Sequence, residues 1–183
     1  MIYDANNDPR LIAERAECKE LCHDYNHLRP KDVVGRRKII MELLGSVKGN
    51  FLIEQPFLCD YGYNIHIGDN FYANHNLVIL DGATVKFGDN VFVAPNCGFY
   101  TAGHPIDAAE RNKGLEYARP ITVGNDVWIG GNVCVLPGVT IGDDCVIGAG
   151  SVVVKDIPPH SVAVGNPCEV IKRKLNSKYV KVK

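Results

Sequence analysis

The hydrophobic positions of this chain recur with a period of six. From Val123 onward every sixth residue is a β-branched aliphatic: Val123, Ile129, Val135, Ile141, Ile147 and Val153. Glycine follows four of them, as Gly124, Gly130, Gly142 and Gly148, and four places after each aliphatic stands a mostly small or apolar residue, Val127, Val133, Val139, Cys145, Ser151 or Ile157. An amphipathic helix needs a period near 3.6 and a half-buried strand a period of 2. A period of six therefore reads as short strands separated by turns, each hexapeptide forming one flat side of a coil. The aliphatic points inward, and the glycine after it is expected to supply the backbone freedom of a tight corner. Stacked coils then bury a single aliphatic column that no repeat could bury alone. The same period runs earlier through Ile67, Ala73, Ile79 and Val85, then steps two residues to Phe87, Val93 and Phe99. The pattern predicts a mainly β chain with a parallel β-helix over residues 51–160.

The remaining segments break the period. Residues 1–50 read as a helical cap: Asp8-Pro9 opens one helix with Leu11, Ile12, Ala16, Leu21 and Tyr25 roughly on one face, and Asp32 opens a second with Val33, Val34, Ile39, Ile40, Leu43 and Leu44, ending near Gly45. Two such helices would close the open end of the coil, the terminal unit that repeat architectures need. From Phe99 to Val123 the spacing matches four hexapeptides but the composition does not: Gly103, His104, Pro105, Asp107, Glu110, Arg111, Asn112 and Lys113 make residues 103–119 a polar loop thrown out of the coil. Loops held on a rigid scaffold are favoured places for chemistry. Residues 161–183 form a basic tail, with Lys172, Arg173, Lys174, Lys178, Lys181 and Lys183 and no acid after Glu169, read either as a solvated end or as a site for an anion.

Composition narrows the partners. Twenty Lys and Arg against 21 Asp and Glu give no field that would favour nucleic acid or a membrane surface. Met1 is followed by Ile2-Tyr3-Asp4 without a basic then apolar leader, and nowhere do about 18 apolar residues run together, so the expectation is a cytoplasmic protein. Seven cysteines without a regular framework fit a reducing compartment and free thiols packed as small hydrophobes. Cys18, Cys22, His23 and His27 carry metal-ligating groups, but all four lie on one amphipathic segment, whereas structural zinc sites usually draw ligands from two elements; no metal is expected.

Six stretches carry a resemblance: Asn64-Ile65-His66-Ile67-Gly68, Asn70-Phe71-Tyr72-Ala73-Asn74, Thr101-Ala102-Gly103-His104-Pro105, Trp128-Ile129-Gly130-Gly131, Pro137-Gly138-Val139-Thr140-Ile141-Gly142 and Gly165-Asn166-Pro167. Over Asn64 to Lys172, and back to Tyr3-Asp4-Ala5, the chain resembles the maltose and galactoside O-acetyltransferases of the hexapeptide-repeat acyltransferase superfamily. The resemblance implies a left-handed β-helix, a homotrimer with sites between subunits, and transfer of an acetyl group from acetyl-CoA to a sugar hydroxyl. Handedness does not follow from the period, since crossover connections are normally right-handed.

Such a transfer needs a base, donors for the developing oxyanion and a groove for the coenzyme. His104 is the strongest base candidate, because imidazole is available in its neutral form near cytoplasmic pH and Pro105 restricts the backbone that carries it. His66, His75 and His160 fit structural roles better. Asn74 follows an inward alanine and matches the family's asparagine at the reacting oxygens. Tyr72, Asp4, Asp60 and Asp81 match or adjoin acceptor-binding positions, with Gly82 the alternative to Asp81 and a turn role the alternative for Asp4. Along the coenzyme groove the resemblance places Trp128, Gly131, Ala149, Val154, Lys155, Lys172 and Arg173. Two residues depart from the family pattern: Val154 stands where relatives often carry threonine, and Glu169 where some carry arginine. Two rival readings are a zinc carbonic anhydrase, which would need His66, His75 and His104 to converge without a close histidine pair, and a non-catalytic scaffold, which gives the polar loop no purpose. Among acetyltransferases, an amino sugar, a lipo-oligosaccharide or a xenobiotic is the alternative acceptor.

Overall fold

Three short strands make each turn of the coil. The computed structural model describes residues 2–175 and 178–181. The first turn is Ser46–Val47, Phe51–Ile53 and Phe57–Cys59; the second Ile65–Ile67, Phe71–Ala73 and Leu77–Leu80; the third Val85–Phe87, Phe92–Val93 and Gly98–Tyr100. After the excursion come Ile121–Val123, Trp128–Ile129 and Cys134–Val135, then Thr140–Ile141, Val146–Ile147 and Val152–Val153. Ile157 bridges to Ile141, and Ser161–Val164 pairs with Val146–Ile147 to begin a sixth turn. Strands pair in parallel with those one turn away, giving a β-helix of triangular section with three flat faces.

The inward residues form three columns, where the sequence pattern suggested one. On the first face Phe87, Val123, Ile141 and Ile157 lie in register; on the second Ile53, Ala73, Val93, Ile129, Ile147 and Ala163; on the third Cys59, Ile79, Phe99, Val135 and Val153. In the regular repeat a turn takes three hexapeptides, so residues six apart lie on different faces and those eighteen apart stack, as Ile129 does on Ile147 and Val135 on Val153. All of these side chains are buried.

The corners also differ from expectation. The residue with left-handed backbone is the third after the aliphatic: Asn70, Asn76, Asn90, Asn96, Asp126, Asn132 and Asp144 have φ between 52° and 64°, with Gly138 and Gly150 in the same role. Asparagine and aspartate tolerate this region because their short side chains hydrogen-bond locally. Here they also bond from turn to turn, Asn70 Nδ2 donating to Asn90 Oδ1 and Asn90 Nδ2 to Asp126 Oδ1, both at 2.9 Å. The glycine directly after the aliphatic serves close stacking instead. A Cβ on Gly130 would stand 2.6 Å from the Ala149 nitrogen, and one on Gly148 2.5 Å from Val164 Cγ1.

Two helices pack on the first turn: α1, Pro9–His27, and α2, Val33–Leu43. Asp8 caps α1 and Asp32 caps α2, each accepting a backbone N–H, which explains why the helices start where the sequence places them. Their buried faces are the expected ones only in part: Tyr25, Ile40, Leu43 and Leu44 are buried, whereas Ile12, Ala16, Val33 and Val34 are exposed. Helix α1 buries Cys18, Cys22 and Tyr25, and α2 buries Arg36, Ile40 and Leu43, while Val34 is 82% exposed. Arg36 is buried because its guanidinium donates to the Ile53 carbonyl at 2.7 Å and to Glu54 Oε2 at 3.0 Å. The basic tail is β-structure, Glu169–Leu175 pairing antiparallel with Ser161–Val164 and with Lys178–Lys181. Residues 176, 177, 182 and 183, including Lys183, lie outside the described residues.

Candidate active site

One edge of the prism is wider than the other two. Between the third and first faces, Cys59 to Ile67 and Ile79 to Phe87 each span eight residues where the repeat needs six, and Phe99 to Val123 spans 24. The two-residue slip in the sequence is therefore a widened corner, and the polar loop leaves the coil at the same edge one turn later. The corners are tied to each other: Asp81 Oδ1 accepts the N–H groups of Asp60 and Tyr61 at 3.0 and 2.9 Å, Asn64 Nδ2 donates to the Asp81 carbonyl at 2.7 Å, and Thr101 Oγ1 accepts from the Ala83 N–H at 2.9 Å.

The excursion is held by a small antiparallel sheet of Ala102–Gly103, Glu116–Ala118 and the N-terminal Ile2–Tyr3. A Cβ at Gly103 would stand 2.6 Å from the Tyr117 ring, so glycine lets that ring lie against the strand. His104 leaves this sheet exposed, with Nδ1 3.0 Å from the Leu115 carbonyl. A carbonyl only accepts, so Nδ1 carries the hydrogen and Nε2 presents its lone pair. Nε2 stands 4.0 Å from Glu116 Oε1, and the Tyr3 hydroxyl donates to Glu116 Oε2 at 3.1 Å. Burial first, and then the Glu116 charge, push the Tyr3 phenol well above its ordinary range, which keeps it a donor.

The acids divide by environment. Asp60 is pushed up to about 6, chiefly by burial and next by the charge of Asp81, with Arg15 opposing. Asp81, expected from the resemblance among the acceptor-binding positions, is 0% exposed and spends one oxygen on the corner below; burial raises its carboxyl too. Gly82 lines an open cleft of about 340 Å³ with Tyr3, Tyr61, Tyr63 and Ala118. An acid at Gly82 would not fit without moving Tyr3, whose hydroxyl is 2.7 Å from where a Cβ would be. Asp4 accepts from the backbone and side chain of Asn7, which is the turn role. Asn6 Nδ2 donates to the Gly114 carbonyl at 2.9 Å, tying the N-terminal segment to the loop.

Asn74, expected at the reacting oxygens, and the residues expected along the coenzyme groove lie elsewhere on the coil. Asn74, Gly131 and Ala149 share the edge between the second and third faces, where Ala94, Gly130 and Gly148 donate from turn to turn. Asn74 Oδ1 accepts the His75 N–H at 2.7 Å. Tyr72 and Trp128 stand on the second face, in a row with Leu52 and Phe92 that ends toward Val162 and Lys172. Trp128 is 56% exposed. Lys155 follows exposed Val154 and is paired at 2.8 Å with Glu169, so the reversed charge noted in the sequence engages a cation expected along the coenzyme groove. Lys172 and Arg173 are adjacent on the Glu169–Leu175 strand. His66 bonds Ser46 at 2.8 Å, His75 the Gln55 carbonyl at 2.6 Å and His160 Asp144 at 3.0 Å, each a local tie.

Comparison with known proteins agrees with this architecture. The maltose acetyltransferase hexapeptide capping motif matches residues 1–49, and the six-repeat bacterial transferase hexapeptide family matches residues 120–155. The galactoside O-acetyltransferase of Escherichia coli K12 is 50% identical over 168 residues, 92% of this chain and 82% of that protein. The chain belongs to the maltose and galactoside O-acetyltransferase family. It is an acyltransferase of this type. The crystal structure of a maltose O-acetyltransferase from Clostridium difficile 630 superposes with a TM-score of 0.92 at 53% identity, covering 94% of this chain and 91% of that one. A galactoside acetyltransferase in complex with coenzyme A gives a TM-score of 0.91 at 45% identity, covering 100% and 94%.

Sequence reasoning missed four residues around the base: Tyr3, Arg15, Tyr61 and Glu116. Arg15 Nη1 donates to the Tyr61 hydroxyl at 2.7 Å and Nη2 to the Ala5 carbonyl at 2.5 Å, joining α1 to the widened corner. Glu116 lies 12 residues after His104 in a segment with no period, and Tyr3 reaches it across 113 residues. The available signal was the pairing of an out-of-period N-terminus with an out-of-period loop.

Proposed function

We propose that this enzyme moves an acetyl group from acetyl-CoA to a hydroxyl of a maltose, glucose or galactoside type sugar, with His104 as general base. The observation that carries the reading is the fixed imidazole: Nδ1 is engaged by the Leu115 carbonyl, so Nε2 is the acceptor, in a neighbourhood of sugar-suited groups that includes Glu116 and Tyr3. Nε2 takes the proton of the acceptor hydroxyl as its oxygen attacks the thioester carbon. The same proton then goes to the departing thiolate of the coenzyme, leaving an ester and a free thiol. Coenzyme A in the related galactoside acetyltransferase structure supports this donor.

Two positions support a site between copies. His104 leaves from one edge of the prism and Asn74 sits on another, so a reaction using both draws them from neighbouring chains. The row Leu52, Tyr72, Phe92 and Trp128 offers an apolar, exposed face for that neighbour, beside an open hollow of about 500 Å³. A homotrimer in the cytoplasm is the assembly proposed. No helix among the described residues is long and apolar enough to cross a membrane.

Acetyl-CoA-dependent thiol release over a panel of sugars tests the activity. Release with glucose, maltose or a galactoside is expected; release confined to amino sugars, lipo-oligosaccharides or drug hydroxyls would transfer the same scaffold to the alternative acceptors. The coenzyme groove has its own test. Lys172→Ala and Arg173→Ala are expected to raise KM for acetyl-CoA several-fold and leave KM for the sugar nearly unchanged, because on this reading both cations serve the coenzyme phosphates and not the acceptor. Equal effects on the two constants would overturn the groove assignment.

A further inference from the structure

Three of the seven cysteines converge. Cys18 and Cys22 lie one turn apart on the inner face of α1, and Cys59 ends the third strand of the first coil turn against them. The Sγ atoms of Cys18 and Cys59 are 3.5 Å apart and those of Cys22 and Cys59 3.8 Å; all three lie within 4.8 Å of one another and are buried. The sequence offered Cys18, Cys22, His23 and His27 as one segment, which argued against a metal. The structure divides that set, stacking His23 on exposed His27 and turning the two cysteines inward, and it supplies the missing second element in Cys59.

We propose that Cys18, Cys22 and Cys59 form a three-thiolate site for a thiophilic closed-shell cation, copper(I) or zinc(II). Metal–sulfur bonds of about 2.3 Å at tetrahedral angles place sulfurs about 3.8 Å apart, so two of the edges are already at the required length to within about 0.3 Å. Soft thiolate donors select these cations over hard ones. Binding exchanges three S–H protons for the metal, and the protons leave to solvent. The remaining thiols behave differently: Cys97, Cys134, Cys145 and Cys168 join no group of three ligand atoms among the described residues, which is how cysteines serving only as small core residues are distributed. Asp81 is fully buried, and its Oδ2 has no hydrogen-bond partner among the described residues. No fourth His, Cys, Asp or Glu atom completes the group among the described residues, so the site supplies three ligands and leaves any fourth position to water.

The test uses the full chain, reduced and stripped of metal, under anaerobic conditions. Copper(I) is titrated against a chromophoric copper(I) chelator and zinc against a chromophoric zinc chelator, in separate arms. One equivalent per chain should be withdrawn from at least one chelator. X-ray absorption at that metal's edge should return three sulfur neighbours, with at most one light atom beside them. Cys59→Ser should weaken retention at least 100-fold, and Cys168→Ser should leave it unchanged. Absorption on the unaltered chain needs no variant, so it decides the matter even if Cys59→Ser fails to fold. Failure of both metals to compete, a sulfur count of two or fewer, or full retention in a folded Cys59→Ser protein would overturn the site.

Discussion

His104→Ala is expected to lower turnover by roughly 10²–10⁴-fold with acetyl-CoA affinity nearly intact, the range that a positioned general base contributes. On the proposed mechanism the loss falls on the transition state, because the imidazole acts there by taking the acceptor proton. The fold should be unaffected: His104 is exposed, and its one close bond is to the Leu115 carbonyl, which water can satisfy in the variant. Single-turnover rates and coenzyme binding measured on the same preparation separate the two effects. Rate should also fall toward acid, since an imidazolium has no lone pair to accept the proton. Asp60, pushed up to about 6 by burial and by Asp81, loses its charge as the pH falls through that value and adds an acid limb of its own. The acid limb that survives in Asp60→Asn therefore belongs to the base. A His104→Ala enzyme that acetylates sugars at near wild-type rate would remove the base and the mechanism with it.

Ile141→Ala is expected to destabilise the chain by about 2–5 kcal/mol, the cost of lost burial and of the cavity left behind. Ile141 is 0% exposed and stands in its column between Val123 and Ile157, with parallel strands fixing the spacing above and below. A coil of this kind cannot collapse locally into such a gap, because each turn is hydrogen-bonded to the next on all three faces. Denaturant unfolding at matched protein concentration measures the effect, so that any linkage to assembly is held constant. A shift below about 1 kcal/mol would mean that the column is not close-packed there.

Much of this was legible in the amino-acid order. The six-residue period marks inward residues directly, because a buried aliphatic is a local requirement repeated at every strand, and Asp8 and Asp32 announce helix starts because capping involves only the next few residues. The excursion was visible as a failure of that period, and His104 stood out within it as the one strong base. These are properties of neighbours along the chain.

Other features depend on residues far apart in sequence. The division of the aliphatics into three columns depends on eighteen residues closing one turn, and the left-handed corners fall on asparagine and aspartate because side chains from adjacent turns bond there. The inner faces of α1 and α2 were legible only in part, through Tyr25, Ile40, Leu43 and Leu44, because tertiary partners override hydropathy: Arg36 is buried by Glu54 and the Ile53 carbonyl, while Val33 and Val34 stay exposed. Tyr3 and Glu116 join the base only through strand pairing across 113 residues, and Cys59 reaches Cys18 across 41. By itself the sequence determined the repeat, the caps and the candidate base, since each is set by local spacing. Tertiary structure alone decided which acids, tyrosines and thiols share a site, because that follows from where the coil brings its edges together.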